Sequence, residues 1–123
     1  MMQGVSVCRP GGCLTEIGSA IHDVADHYGF DTVRMYCGHG VGSGFHMPPH
    51  VQHFRNNDSL ELTPGMTFTI EPIFTEGTAM TVKLRDGWTV RTMDGKRAAQ
   101  FEHVVLITDE GHEVLTVVPP GSS

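Results

Sequence analysis

The sequence predicts an α+β fold in which one main helix accompanies a curved, mostly antiparallel sheet. A single amphipathic stripe at helical spacing occurs near the start of the chain. Short β-prone segments follow it, and glycine-containing turn signals separate several of them. A helix that precedes strands joined by tight turns is typical of this fold class.

The helix is predicted between residues 15 and 28. Thr15 is expected to be its N-cap, and Gly29 is expected to end it at the C′ position. Apolar residues recur at helical spacing between them and form the stripe that should face the sheet. These residues are Ile17, Ala20, Ile21, Val24, Ala25 and Tyr28.

Alternation and turn chemistry predict the strands that follow. In the clearest of them, apolar Met66, Phe68 and Ile70 alternate with polar residues. The predicted strands cover residues 32–36, 66–70, 88–92, 101–108 and 113–118, with turn signals at Pro64-Gly65, Asp86-Gly87 and Asp94-Gly95.

The length and composition fit one globular domain. The 123 residues are 39% hydrophobic and 18% charged, which allows a core of modest size. We therefore expect a single domain over residues 1–123, with a frayed tail at residues 117–123.

Charge and cysteine content narrow the function classes. The formal net charge of −6 indicates that neither nucleic acid nor an anionic membrane is a partner. No apolar run reaches the roughly 20 residues that span a bilayer, and residues 1–12 do not have the pattern of a signal peptide. The three scattered cysteines predict reduced thiols and a cytoplasmic protein.

Histidines are numerous, and two of them stand in an unusual context. Of the eight, His22, His27 and His112 are expected at the surface, while His50 and His53 flank a proline-rich loop and are harder to place. His39 lies inside the glycine-rich segment of residues 38–44, and His46 follows that segment. Missing side chains expose an imidazole and let another group approach it closely. The alternative is a flexible glycine loop with incidental histidines.

Two glutamates accompany apolar strands. Glu71 ends the strand at 66–70 on the face of Thr67 and Thr69, and it is either solvent-facing or directed into a polar cavity. Glu102 lies near the start of the strand at 101–108, on the face of Gln100. A carboxylate in such a strand has to be paired, protonated or metal-bound, because burying an isolated charge is costly. A histidine and two glutamates suit a divalent ion, although their spacing specifies neither metal nor reaction.

Five motifs together resemble the type I methionine aminopeptidases, in the family's order and over residues 7–116. They are Tyr-Cys-Gly-His-Gly-Val-Gly at 36–42, Phe-His at 45–46, Pro-Gly-Met-Thr-Phe-Thr-Ile-Glu-Pro at 64–72, Asp-Gly-Trp-Thr at 86–89 and Ala-Gln-Phe-Glu-His at 99–103. That family removes the initiator methionine from nascent proteins with a two-metal site in a pita-bread fold, which has two similar halves around a curved sheet. The resemblance implies that this chain is the second half of such a fold.

The resemblance also implies a role for each matching residue. His39, Glu71 and Glu102 resemble metal ligands, with Glu102 bridging two ions and Glu71 also acting as general base. His46 resembles the second catalytic residue, which contacts the substrate. The other matches are Tyr36, Phe45 and Trp88, expected with His46 to bind the methionyl peptide, and Gln100, expected to support the ligands. The family's cofactor is two divalent ions, of cobalt, manganese, iron or zinc.

One part of the family's site has no counterpart in this sequence. The family's two aspartate ligands lie in its first half, and Asp23, Asp26 and Asp31 do not match their pattern. We therefore expect at most one weak metal site, a raised glutamate pKa in the metal-free site, and little activity from this chain alone. A second chain or the missing first half would be its partner. The alternative is a non-catalytic half-domain that binds a partner and keeps a vestigial metal site.

Overall fold

The computed structural model of the protein describes residues 1–42, 47–87 and 89–116. Two α-helices come first, α1 at Met2–Ser6 and α2 at Leu14–Tyr28. The first of them was not predicted, because five residues are too few to display a helical period. It packs against α2 and extends the core beyond that helix.

The ends of α2 follow the expected backbone rules. Cys13 has the extended backbone of an N-cap, with φ −135° and ψ 162°, so the helix begins earlier than predicted and Thr15 lies inside it. Gly29 ends the helix in the left-handed conformation with φ 72°, which confirms the predicted stop.

One face of α2 is buried, but the last turn of the helix is not part of it. The buried residues are Leu14, Ile17, Gly18, Ile21 and Ala25. Tyr28 is 65% exposed, so its predicted place in the packed stripe is wrong. Its ring lies against those of His27 and Phe30, at the end of the helix.

The strands form antiparallel sheets. In chain order they are β1 (Asp31–Thr32), β2 (Gly38–Gly40), β3 (Met47–Val51), β4 (Thr67–Ile70), β5 (Ile73–Thr75), β6 (Thr81–Lys83), β7 (Val90–Thr92), β8 (Ala98–Gln100), β9 (His103–Ile107) and β10 (His112–Val114). The described strands make a five-stranded sheet in the order β10-β9-β4-β2-β3, a three-stranded sheet in the order β1-β5-β8, and the hairpin of β6 with β7. The predicted α+β class is confirmed.

The predicted strands are present, with shifted ends. The strand predicted at 66–70 is β4, and the strand predicted at 101–108 begins two residues later as β9. The strands predicted at 32–36 and 113–118 are shorter in the structure, as β1 and β10. Trp88, predicted to start the strand that is observed as β7, lies outside the described residues, as does the end of the last predicted strand.

A single apolar cluster lies between the helices and the five-stranded sheet. Its members are Val5, Cys8, Leu14, Ile17, Ile21, Val51, Leu62, Phe68, Ile70, Val105 and Ile107. Phe68 and Ile70 are fully buried, and each such side chain contributes about 1.5–3 kcal/mol by leaving water. A slip of one residue would turn both away from the core, so their burial fixes the register of β4. That register directs Thr69 and Glu71 to the other face.

Candidate metal centre

Two glycines hold His39 between neighbouring strands. A Cβ atom at Gly38 would lie 2.1 Å from the carbonyl oxygen of Thr69, and one at Gly40 would lie 2.1 Å from that of Pro48. These distances are far below any contact that two such atoms can make, so the strands approach this closely only because both residues lack side chains. The glycine-rich segment is therefore a strand at this point, β2, and not a flexible loop.

The imidazole of His39 is buried and its orientation is fixed. The residue is 8% exposed, and its backbone N–H donates to Oγ1 of Thr69 at 2.9 Å. Its Nδ1 lies 3.1 Å from the carbonyl oxygen of Gly40. A carbonyl only accepts, so in the neutral ring Nδ1 carries the proton and Nε2 carries the lone pair. This is the arrangement in which a histidine coordinates a metal through Nε2.

Glu71 and Glu102 lie opposite each other where a long two-stranded ribbon is interrupted. Strand β4 pairs with β9, and β5 pairs with β8. The pairs Ile70↔His103 and Ile73↔Gln100 follow one continuous register. Extending it through the gap sets Glu71 opposite Glu102.

The sequence explains why the ribbon breaks at this place. The same register sets Pro72 opposite Phe101, and proline has no N–H to donate to a ladder. Glu102 therefore lies between β8 and β9 and is exposed, so its predicted position inside a strand is wrong. Gln100 is the last residue of β8 and is also exposed, in a different sheet from β9.

The structure brings His39, Glu71 and Glu102 together. One potential ligand atom from each lies within 4.8 Å of the others, and Nε2 of His39 is 3.9 Å from Oε2 of Glu71. One imidazole nitrogen and carboxylate oxygens form a donor set that suits a divalent cation such as manganese, cobalt, iron or zinc. The cluster is half-enclosed, with His39 buried and Glu102 at the surface.

Electrostatics within the cluster also fit a cation. Burial raises the pKa of Glu71, and the nearby charge of Glu102 and a hydrogen bond to that residue raise it further. His39 and a hydrogen bond from Thr69 oppose this shift of the Glu71 pKa. Two carboxylates held this close repel each other, and a bound cation would relieve that repulsion. The predicted rise of a glutamate pKa is confirmed.

The ring of His53 contacts the backbone of Glu71. Its Nε2 accepts a hydrogen bond of 3.1 Å from the backbone N–H of Glu71. The residue is 1% exposed, and burial lowers the pKa of its imidazole to about 4. The ring is therefore neutral at physiological pH. Its proximity to the cluster could not be predicted, because no motif or periodic pattern in the sequence marks this contact.

Cys37 is a second neighbour of the cluster for which the sequence predicted no role at the site. Burial raises the pKa of its thiol, and the charge of Glu71 raises it further. Its Sγ lies 3.9 Å from Nδ1 of His50. The thiol therefore remains protonated beside the carboxylates.

A cavity opens from Glu71 toward the hairpin of β6 and β7. Its volume is about 650 Å³, and Tyr36, Ile73, Val90 and Gln100 are among the residues that line it. Tyr36 thus lies on the cavity wall, with 38% of its surface exposed. The other predicted substrate residues, Phe45, His46 and Trp88, lie outside the described residues.

The chain belongs to the metallopeptidase family M24, whose family model matches residues 1–109. It is 46% identical to a methionine aminopeptidase of Salmonella typhimurium over 115 residues, which are 93% of this chain and 44% of that protein. The chain thus spans less than half the length of this curated relative. The resemblance to the methionine aminopeptidases is confirmed.

Solved structures show the same fold. The methionine aminopeptidase of Rickettsia prowazekii superposes with a TM-score of 0.90 and 42% identity, over 94% of this chain and 48% of that one. A prolidase from Pyrococcus furiosus superposes with a TM-score of 0.70 and 26% identity, over 96% of this chain and 29% of that one. The chain therefore has part of the pita-bread fold of these peptidases. No helix in the described part of the chain is long and apolar enough to cross a membrane.

Proposed function

We propose that this chain is the metal-binding second half of a methionine aminopeptidase, which removes the N-terminal methionine from nascent proteins. The convergence of His39, Glu71 and Glu102 supports this proposal most directly. A scaffold without a ligand gains nothing from two carboxylates held close enough to repel each other, and it would be more stable without one of them. Because the chain belongs to a metallopeptidase family, the expected task of the cluster is to bind a metal ion.

The three side chains have distinct tasks in this proposal. A divalent ion would be held by Nε2 of His39 and by the carboxylates of Glu71 and Glu102, and when bound it would supply Lewis acidity toward a water molecule and a peptide carbonyl. Glu71 would accept the proton of the attacking water on its carboxylate. The environment that raises the pKa of Glu71 also makes it a better base than an exposed glutamate.

The cavity beside Glu71 supports a peptide substrate with an apolar first side chain. Tyr36, Ile73 and Val90 contribute apolar wall to it, and a flexible thioether such as methionine fills an irregular apolar space well. By their motifs, Phe45 and Trp88 are also proposed to bind the methionyl peptide. His46 would contact the substrate peptide, in line with its motif.

The site would be completed by residues from outside this chain. Next to the cluster along the sequence, Phe101 is 64% exposed and Val41 is 39% exposed. Exposed apolar side chains this near the cluster in the sequence suit a surface that a second segment covers. That segment would be the missing first half, which carries two further aspartate ligands in the family. Alone, this chain would hold at most one divalent ion, and weakly.

Two finer points belong to the same proposal. The cytoplasm is the proposed location, since Cys8, Cys13 and Cys37 are all free thiols in the structure. The alternative, a partner-binding half-domain with a vestigial metal site, is not favoured by the family comparisons. The close approach of one histidine and two carboxylates also supports a working metal site over a vestigial one.

Complementation tests the proposed function. The chain is co-expressed with the part of the Salmonella typhimurium relative that it does not match, and the pair is assayed on a Met-Ala-Ser peptide with manganese or cobalt. Release of methionine that is lost in Glu71→Ala and kept in Glu113→Ala, a surface control on β10, supports the proposal. A stable complex of the two parts that releases no methionine would contradict it.

A further inference from the structure

We propose that His53 is a positioning residue for the metal centre, whose ring holds the backbone of Glu71 so that the Glu71 carboxylate faces His39 and Glu102. This inference rests on the proposed function, because it assigns a task toward the same metal site. It goes beyond the motifs of the sequence, in which His53 follows a proline-rich segment and has no assigned partner.

The backbone of Glu71 needs an acceptor that the sheet does not offer. Strand β4 ends at Ile70, and the pair of Ile70 with His103 is the last pair before the break. The N–H of Glu71 faces the β2 edge of β4, as does the carbonyl oxygen of Thr67, which accepts from the N–H of Val41. Strand β2 begins at Gly38, one residue too late to pair with Glu71. The N–H of Glu71 therefore donates to Nε2 of His53 at 3.1 Å instead. The side chain of His53 thus takes the place of a strand partner for the backbone of Glu71.

His53 is itself anchored from a different sheet. Its carbonyl oxygen accepts a hydrogen bond of 3.0 Å from Oγ1 of Thr32, a fully buried residue of β1. The ring is also fully enclosed, so packing restricts its rotation. A chain of two hydrogen bonds therefore runs from Thr32 through His53 to the backbone of Glu71 and ties that backbone to both sheets.

The hydrogen bond between Glu71 and His53 indicates that His53 positions Glu71 and does not itself bind the metal ion. Only an imidazole nitrogen with a lone pair accepts an N–H, and at Nε2 that lone pair points at the backbone of Glu71. The same lone pair cannot also bind a metal ion. His53 therefore acts through Glu71, unlike His39, whose Nε2 faces the carboxylates.

Manganese binding by three variants of the full 123-residue chain tests this role. His53→Leu removes the acceptor and keeps similar bulk, while His53→Gln restores an acceptor oxygen at similar reach. Ile107→Val, a core change at the far end of β9, is the control for a general loss of stability. By calorimetry we expect His53→Leu to weaken manganese binding at least about tenfold, the lower end of the usual effect of residues that orient ligands. His53→Gln and Ile107→Val should stay within about threefold of the parent chain.

The outcomes separate this inference from the function on which it rests. A parent chain that binds no manganese contradicts the proposed metal site. A parent chain that binds manganese, with a folded His53→Leu variant that binds it equally well, overturns only the positioning role. The same holds if His53→Gln loses as much affinity as His53→Leu although both are folded.

A second measurement needs no variant and covers the case in which His53→Leu does not fold. In the ¹⁵N-labelled chain, scalar coupling across the hydrogen bond joins the backbone nitrogen of Glu71 to Nε2 of His53. We expect this coupling both without metal and after zinc, a diamagnetic ion, is added. Its loss on zinc binding would show that His53 releases Glu71 when the site fills, which would overturn the positioning role.

Discussion

Glu71 and Glu102 face each other across the gap in a β ribbon that Pro72 interrupts. The gap frees both residues from regular pairing, and the adjacent strand β2 brings Nε2 of His39 to 3.9 Å from Oε2 of Glu71. The candidate metal centre thus lies at a break in the strand pairing, with paired strands on either side. Such placement gives ligands precise positions and leaves room for an ion and a substrate.

The first prediction concerns the charge of Glu71. Its pKa in the folded chain is raised by burial and by Glu102, so the metal-free chain should lose stability as the pH rises above the ordinary glutamate range and through that folded pKa. Glu71→Gln removes this loss. We expect the variant to melt at a higher temperature than the parent at pH 7.5 in EDTA, with a smaller difference at pH 4.5.

The same variant should bind manganese at least about tenfold more weakly, because an amide oxygen lacks the carboxylate's charge. Glu113→Gln, an exposed change on β10, is the matched control and should alter neither property. A Glu71→Gln variant that is less stable than the parent without metal would show that the two carboxylates do not repel each other in the fold.

The second prediction concerns His53 and pH. Burial lowers the pKa of the folded imidazole to about 4, against about 6.5 in an unfolded chain. As the pH falls below 6.5 the unfolded chain takes up the proton first, so stability is complete above 6.5 and is lost toward pH 4. The loss from this residue is on the order of 3 kcal/mol, from a shift of about two pKa units or more.

Denaturant unfolding at pH 4.5 and 7.5 measures this loss. Because carboxylates also titrate there, the quantity to compare is the change in unfolding free energy for the parent minus that for His53→Gln, whose side chain does not titrate. Parallel pH profiles for the two proteins would be incompatible with a buried, neutral His53.

The third prediction concerns the close approach at Gly38. A Cβ there would lie 2.1 Å from the carbonyl oxygen of Thr69, so Gly38→Ala must push β2 away from β4. We expect a loss of about 1–3 kcal/mol in unfolding free energy, or more, as for other overpacked sites. The displaced strand carries His39, so manganese affinity should fall as well.

Gly111→Ala is the control for this substitution. Within the described part of the chain, no atom outside its chain neighbours lies within 4 Å of a Cβ at Gly111, and the residue does not have a positive φ. Its stability should stay within about 1 kcal/mol of the parent. Equal effects of the two substitutions would remove the steric explanation.

The fourth prediction concerns activity. The 123-residue chain alone should release no methionine from a Met-Ala-Ser peptide at a substantial rate, with manganese or cobalt present. The proposed ligands His39, Glu71 and Glu102 would hold one ion, whereas a two-ion clamp would need further carboxylates. Robust turnover that disappears in Glu71→Ala would show that this chain replaces the missing ligands itself.

Local rules account for much of the fold and for the choice of site residues. Gly29 ends α2 as predicted because only a residue without a side chain takes the left-handed turn at no cost. The alternation around Phe68 and Ile70 predicted β4 and placed Glu71 at its end. Residue chemistry alone also drew attention to His39 and Glu102, which the structure places beside Glu71.

Other features depend on contacts that sequence patterns do not record. Glu102 was expected inside a strand because Phe101 and the apolar run after it are β-prone, but the opposing Pro72 breaks the ladder. Tyr28 follows the helical period yet lies beyond the edge of the core. His53 reaches Glu71 only through tertiary packing, so its sequence context gave no indication of that contact.

The most direct test of the metal centre is a crystal of the chain grown with manganese and measured at the manganese absorption edge. We expect one anomalous peak, bound by Nε2 of His39 and by carboxylate oxygens of Glu71 and Glu102. A peak at other residues, or none in crystals that contain saturating manganese, would contradict it.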